Sequence, residues 1–304
     1  MVEIIIPVGP GDRADWLDSV LKKVSALANS LNYKIIVYDN SEREDLAKVI
    51  SQYSVNHVTA KRFKKVNMAK LRNEMLKLAN ESYVVMLDSD VIPSEKALPR
   101  MIENLKNGVT FTWMHYAYDE KEIEVDSDSL EENPNLGCSA LNLDVIKRVG
   151  YFDERYERDE DVWLYAKLKK EGYIVKPTKG RCLHLNKVHA RENLMSSLKE
   201  ARRNLWRSKY DMMLVLDGLT QFQMLTGYTY YGSYYVIPII SLFTSPLILF
   251  LYLPVIAFGL KYYKSPKKYF LNLIPGLSLV LGLPYGLAYA VVNKSLKKKY
   301  NGYK

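Results

Sequence analysis

Residues 83–92 read YVVMLDSDVI. Tyr83 to Leu87 are apolar or aromatic without a break, as in a strand covered on both faces, and Asp88, Ser89 and Asp90 follow at once. Side chains alternate along a strand, so both carboxylates point to the same side at its end. Adjacent anions repel and raise each other's pKa. A divalent cation, Mg²⁺ or Mn²⁺, resolves the conflict, because it takes oxygen ligands and bridges to phosphate. A helix cap accounts for the same residues, since SDVIPSE leads into a helix.

Working outward, VEIIIPV (2–8) and YKIIVYDNS (33–41) are runs of the same kind, and VNHVTAK (55–61) is a weaker one. Helical patterns separate them: ADWLDSVLKKVSALANSL, REDLAKVISQY and NMAKLRNEMLKLANE. Strand and helix in alternation predict an α/β fold, a mostly parallel sheet flanked by helices. Ligands of such sheets sit at the carboxyl ends of strands. Pro7 and Val8, Asp39, and the group Asp88, Ser89 and Asp90 all lie at such ends.

Further along, YDEKEIEVDSDSLEENPN (118–135) reads as a mobile acidic surface loop. LGCSALNL reads as a strand, EDVWLYAKLKKEG as a helix closed by Gly172, and YIVKP as a strand. Residues 190–210 read as a basic amphipathic helix.

The 304 residues carry a net charge of +9, distributed unevenly. From Glu200 onward there are 13 Lys/Arg and 3 Asp/Glu, against 30 and 31 before it. The excess is C-terminal, which points to an anionic membrane face and away from nucleic acid as a partner. Residues 218–260 hold no charged side chain. Two apolar runs, at 236–260 and 269–292, are long enough to cross a hydrocarbon core of ~30 Å. Tyrosines crowd the approach to the first, as in an interfacial belt. A two-span hairpin is the favoured arrangement, and helices lying in the interface are the alternative that the prolines allow. The expected division is a catalytic domain at 1–189, an interface helix and linker at 190–233, and a membrane region at 234–304. The opening residues contain no signal sequence, so the catalytic domain is expected on the cytoplasmic side of the cell membrane. Cys138 and Cys182 form no CxxC pattern; buried, reduced thiols are the expected reading and a disulfide is the lesser alternative.

Several residues could carry chemistry. Asp159, Glu160 and Asp161 open a helix, where acids favour the dipole. A carboxylate held there could also act as a general base. His184, at the end of a strand, could join Asp90 on a metal. Asp39 could accept a hydrogen bond from a base or ribose, or be a turn residue. Lys70 and Arg72 could neutralise a diphosphate, or be solvated helix charges.

Five stretches in order resemble glycosyltransferase family 2, the inverting enzymes of GT-A fold. These are IIIPV, IIVYDNS, AKLRNEMLKLA, VVMLDSDVIP and VGYFDERYERDEDVWLYAKLKKEGY. The resemblance covers roughly residues 2–210. It implies that a sugar moves from a nucleoside-diphosphate sugar to an acceptor in one displacement, with inversion. It implies Asp39 on the nucleotide base, Asp88 near ribose and diphosphate, and Asp90 on the metal with His184 nearby. Asp161, with Glu160 beside it, would be the base; Pro7, Val8, Lys70, Arg72 and Ser89 complete the nucleotide site. GPGDRADW departs from the family's usual Tyr-Asn turn after the first strand. RRNLWRS lacks the Gln and Arg of the processive synthases' Gln-x-x-Arg-Trp, with Arg202 and Leu205 in their places. The C-terminal region is similar to members that glycosylate lipid carriers, so a lipid-linked or glycan acceptor at a bilayer is expected. A sugar nucleotidyltransferase and an inactive membrane-attached scaffold are the rival readings.

Overall fold

The computed structural model describes residues 2–63, 66–123, 133–187 and 193–301. The centre of the acidic stretch (124–132) and the start of the basic helix (190–192) lie outside them. The chain divides into two compact units, Met1–Lys187 and Val188–Lys304.

The first unit is built on β1 (Val2–Val8), whose aliphatic side chains are almost all buried. Next, α1 (Ala14–Leu31) repeats Leu17, Val20, Leu21, Val24 and Ala28 on one stripe and turns it to the core. β2 (Lys34–Asp39), α2 (Glu44–Ile50), β3 (Asn56–Thr59), α3 (Met68–Leu78) and β4 (Tyr83–Leu87) follow. β1 pairs in parallel with β2 and β4, and β2 with β3. These elements agree with the sequence reading.

The second half of the sheet is less regular. It comprises β5 (Val91–Pro93), α4 (Ala97–Lys106), β6 (Phe111–Ala117), β7 (Cys138–Asn142), α5 (Leu143–Arg148), α6 (Glu160–Lys170) and β8 (Val175–His184). The eight strands run β3-β2-β1-β4-β7-β6-β8-β5. β7 is antiparallel to both neighbours and β5 is antiparallel to β8, while β6 and β8 are parallel. The sheet is therefore mostly parallel, with an antiparallel strand at its centre.

One expectation is corrected here. Cys138 and Cys182 are disulfide-bonded, with Cα atoms 6.6 Å apart. Spacing along the chain gave no sign of this. The fold creates the proximity by bringing the start of β7 and the end of β8 within bridging distance.

In the second unit, α7 (Leu194–Leu216) lies against α10 (Pro266–Leu281) and α11 (Leu283–Asn301). Asn204 Nδ2 donates to the Pro275 carbonyl at 3.0 Å, and Ser208 Oγ to the Gly282 carbonyl at 2.8 Å. The first apolar run is not one helix. α8 (Phe222–Phe243) ends at Thr244, Pro246–Leu251 forms a 3₁₀ segment, and α9 (Tyr252–Tyr263) continues. The second run bends by 47° between α10 and α11. By length and composition, Pro246–Tyr263 is one candidate membrane span, and the bent pair is a second if counted together.

Pro238 inside α8 removes the N–H that would bond the Tyr234 carbonyl. The Tyr252 hydroxyl takes that place, donating to Tyr234 O at 2.8 Å. Tyr252→Phe leaves this carbonyl without its partner. It is expected to destabilise the second unit by about 1–3 kcal/mol. Thermal unfolding of the full chain in detergent checks this, with Tyr285→Phe, at an exposed position, expected to melt like the parent.

Candidate active site

The carboxyl ends of β1, β2 and β4 open onto a cleft of about 670 Å³. Pro7, Asn40, Phe63, Asp88, Ser89 and Asp90 are among the residues on its walls. Of the residues singled out from sequence, Pro7, Asp88, Ser89 and Asp90 thus face it directly.

Arg72 links the parts of the site. Its guanidinium is 3 % exposed, on a face of α3 that turns inward. Nη2 donates to Asp88 Oδ1 at 2.9 Å, and Nε lies 3.9 Å from Glu160 Oε1. One buried cation therefore joins the end of β4 to the start of α6. Nε and Nη1 have no hydrogen-bond partner among the described residues. Glu160 is buried and turned to Arg72. Burial and the neighbouring Asp161 push Glu160 up to about 8, against the pull of Arg72.

Asp161 is only part-buried. It follows Asp159, which holds the helix N-cap at φ +59°, a left-handed conformation that Asp tolerates better than most residues. Asp161 Oδ1 accepts the Val162 N–H at 2.8 Å. It is not on the cleft wall, but it shares with Asp88, Asp90 and Arg72 an electrostatic neighbour, Tyr116 on β6.

The pairing of β5 with β8 brings Val91 opposite His184, and Leu185 N–H donates to the Asp90 carbonyl. His184 Nε2 consequently lies 4.0 Å from Asp90 Oδ1. Burial, then Asp88 and Asp12, raise Asp90 to about 6. Burial lowers His184, keeping the imidazole neutral. Among the described residues no group of three His, Cys, Asp or Glu side chains is arranged to hold a metal ion.

Three predicted residues stand elsewhere. Val8 is fully buried, and its carbonyl accepts the Asn40 N–H. Lys70 is exposed, 5.2 Å from the Phe63 ring. Asp39 is buried, accepting Ser41 N–H through Oδ1 at 2.9 Å and lying 3.2 Å from His57 Nε2 through Oδ2. His57, which had no evident context in sequence, thus gains one. Asp12 was also missed, although it lines the cleft and accepts from Gly9 N–H (2.9 Å) and Ser89 Oγ (2.6 Å). Its only sign was a carboxylate in the glycine-rich turn after β1. Gly137 was missed too: a Cβ there would lie 2.3 Å from Asp88 Oδ2 and 2.4 Å from the Tyr116 hydroxyl.

Among solved structures, the chain is similar to the mannosyltransferase PcManGT from Pyrobaculum calidifontis, solved with GDP-Man and Mn²⁺. The two share 14 % identity over 94 % of this chain and 86 % of that one, with a TM-score of 0.64. Glucosyl-3-phosphoglycerate synthase from Mycobacterium tuberculosis, solved with Mn²⁺, UDP and phosphoglyceric acid, is a more distant likeness. It shows 17 % identity over 64 % of this chain and 74 % of that one, with a TM-score of 0.49. The sequence search found no match among curated proteins. At such identities the first likeness establishes the fold alone, and that fold is GT-A. The model for "Glycosyl transferase family 2" matches residues 4–173, more than half of the sequence. By that match the chain belongs to glycosyl transferase family 2 and is a glycosyltransferase.

Proposed function

We propose that the protein is a metal-dependent, inverting glycosyltransferase that moves a sugar from a nucleoside-diphosphate sugar to a lipid-linked or glycan acceptor at a membrane. The observation that carries this reading is Arg72, which ties the Asp88 strand end to the Glu160–Asp161 helix start inside the family's fold. Arg72 also keeps a buried Nη1 without a hydrogen-bond partner among the described residues, a donor suited to a diphosphate oxygen.

The donor set fits a divalent cation. Asp90 and His184 offer a carboxylate oxygen and a neutral imidazole, and the crowding of Asp90 by Asp88 and Asp12 favours a bound positive charge. Two protein ligands suffice for Mg²⁺ or Mn²⁺ when phosphate oxygens and water fill the other positions. When bound, the ion would offset charge on the leaving diphosphate. Asp39 and Ser89 are assigned to the nucleoside side, and Asp88 to the ribose and diphosphate. Asp161 takes the proton of the acceptor hydroxyl as its oxygen bonds to the anomeric carbon and the bond to the diphosphate breaks. Attack opposite the leaving group inverts the configuration.

A bilayer is assigned to the second unit because its large apolar side chains face outward: Leu242 is 82 % exposed and Phe243 83 %. Along α7, Leu194, Met195, Leu198 and Leu205 are likewise exposed, interleaved with Lys199, Arg202, Arg203 and Arg207. The catalytic unit is assigned to the cytoplasmic side, where anionic headgroups attract basic segments.

The test is a donor screen with the full chain in detergent or liposomes. GDP-mannose, UDP-glucose and UDP-GlcNAc are offered with Mn²⁺ or Mg²⁺, and released diphosphate is measured. Turnover of at least one donor is expected, abolished by EDTA and restored by excess Mn²⁺. Turnover that survives complete chelation would remove the metal from the proposal, and no turnover with any donor would remove the activity.

A further inference from the structure

Tyr116 has no part in the roles assigned above, yet its side chain stands among the carboxylates. It is the sixth residue of β6, part-buried, and its ring meets that of His184 edge-on at 4.7 Å. Its hydroxyl and Asp88 Oδ2 converge on the point where Gly137 lacks a side chain, 2.4 and 2.3 Å from it. Gly137 is fixed there because its carbonyl accepts the Asp88 N–H at 3.0 Å. No hydrogen bond ties the Tyr116 hydroxyl to another described residue. Part-buried and not engaged within the protein, the hydroxyl can donate to a ligand, which phenylalanine at the same place could not.

Asp88, Asp90 and Asp161 all act on Tyr116 electrostatically. Under the proposed activity, Asp88 faces the ribose and diphosphate and Asp161 faces the acceptor. In-line displacement puts the anomeric carbon between leaving group and attacking oxygen. Tyr116 stands beside Asp88 at the Gly137 gap and against the His184 ring, at the diphosphate end where the sugar is attached. The far end of the cleft, at Asn40, Arg62 and Phe63, is left for the base.

We propose that the Tyr116 hydroxyl donates a hydrogen bond to the sugar of the donor substrate, making Tyr116 a catalytic-site residue that holds the transferred unit in line. This rests on the glycosyl-transfer reading above.

Tyr116→Phe in the full chain tests it, because the substitution removes one oxygen and keeps the ring. The probe is whichever of GDP-mannose, UDP-glucose or UDP-GlcNAc the parent turns over. The matching GDP or UDP, with Mn²⁺, serves as the sugar-free ligand. The variant is expected to lose about tenfold in kcat/KM for the nucleotide sugar. Its affinity for the free nucleotide should stay within about twofold of the parent, a difference too small to reflect a lost hydrogen bond. An unchanged kcat/KM overturns the inference. A parallel loss of nucleotide affinity also overturns it, since the hydroxyl would then act on the nucleotide or through Asp88. A parent inert toward all three donors removes the proposed activity, and with it this inference.

Discussion

Asp161→Asn is expected to lower kcat by about 10²–10⁴-fold while the protein stays folded. The amide matches the carboxylate in shape and can still accept the Val162 N–H at the start of α6. It cannot take a proton from an acceptor hydroxyl. Nucleotide binding should survive, because Asp161 lies away from the walls of the cleft that holds Asp88 and Asp90. Steady-state turnover together with calorimetric nucleotide titration separates the two effects. A variant that turns over like the parent would show that another group, or water alone, accepts the proton.

Arg72→Met is expected to act first on stability. The substitution removes a cation that is 3 % exposed and leaves Asp88 and Glu160 facing a thioether. Breaking a buried ion pair from one side costs about 3–5 kcal/mol. For a unit of this size that lowers the melting temperature by roughly 6–20 °C. The loss should depend on pH in a definite direction. Glu160 is already raised to about 8 with Arg72 in place, and losing the cation raises it further. A carboxyl whose folded-state pKa lies above its unfolded one binds protons better when folded, so stability falls as pH rises between the two values. Below pH 8 the carboxyl stays protonated with or without Arg72 and adds nothing to the difference, so the deficit should grow as pH rises above 8 and be smaller at pH 6. Melting curves at pH 6 and pH 9 decide the matter; a deficit that is equal or larger at pH 6 would mean that Glu160 does not depend on Arg72.

The half of the sheet holding β1, β2 and β4 was legible because strands buried on both faces appear as unbroken apolar runs, and the ends of such runs are where polar residues stand out. Asp88 and Asp90 were visible for that reason. β6 was not, because Thr112 and His115 interrupt its pattern. In the fold Thr112 is buried, its hydroxyl 2.5 Å from that of Thr178 on β8, so polarity there marks a strand-to-strand bond. Tyr116 was hidden by the same logic, since an aromatic residue within a strand reads as core. The pairing of Arg72 with Glu160 joins residues remote in the chain, and so does the bond between Cys138 and Cys182. Such proximities follow from strand order, which local spacing does not encode. The break in the first apolar run could have been suspected from Thr244, Ser245 and Pro246, but composition alone did not separate a bent helix from a straight one.

Gly137 has an evolutionary consequence. Any substitution there would insert a methyl group or more at the spot where Asp88 and Tyr116 meet. A lineage drifting away from sugar transfer would be released from that constraint before it lost the sheet, which depends on neighbouring strands and not on this one atom-sized gap. Position 137 should therefore serve as an early marker: glycine in descendants that keep the chemistry, and a free choice of residue in those that retain only the scaffold.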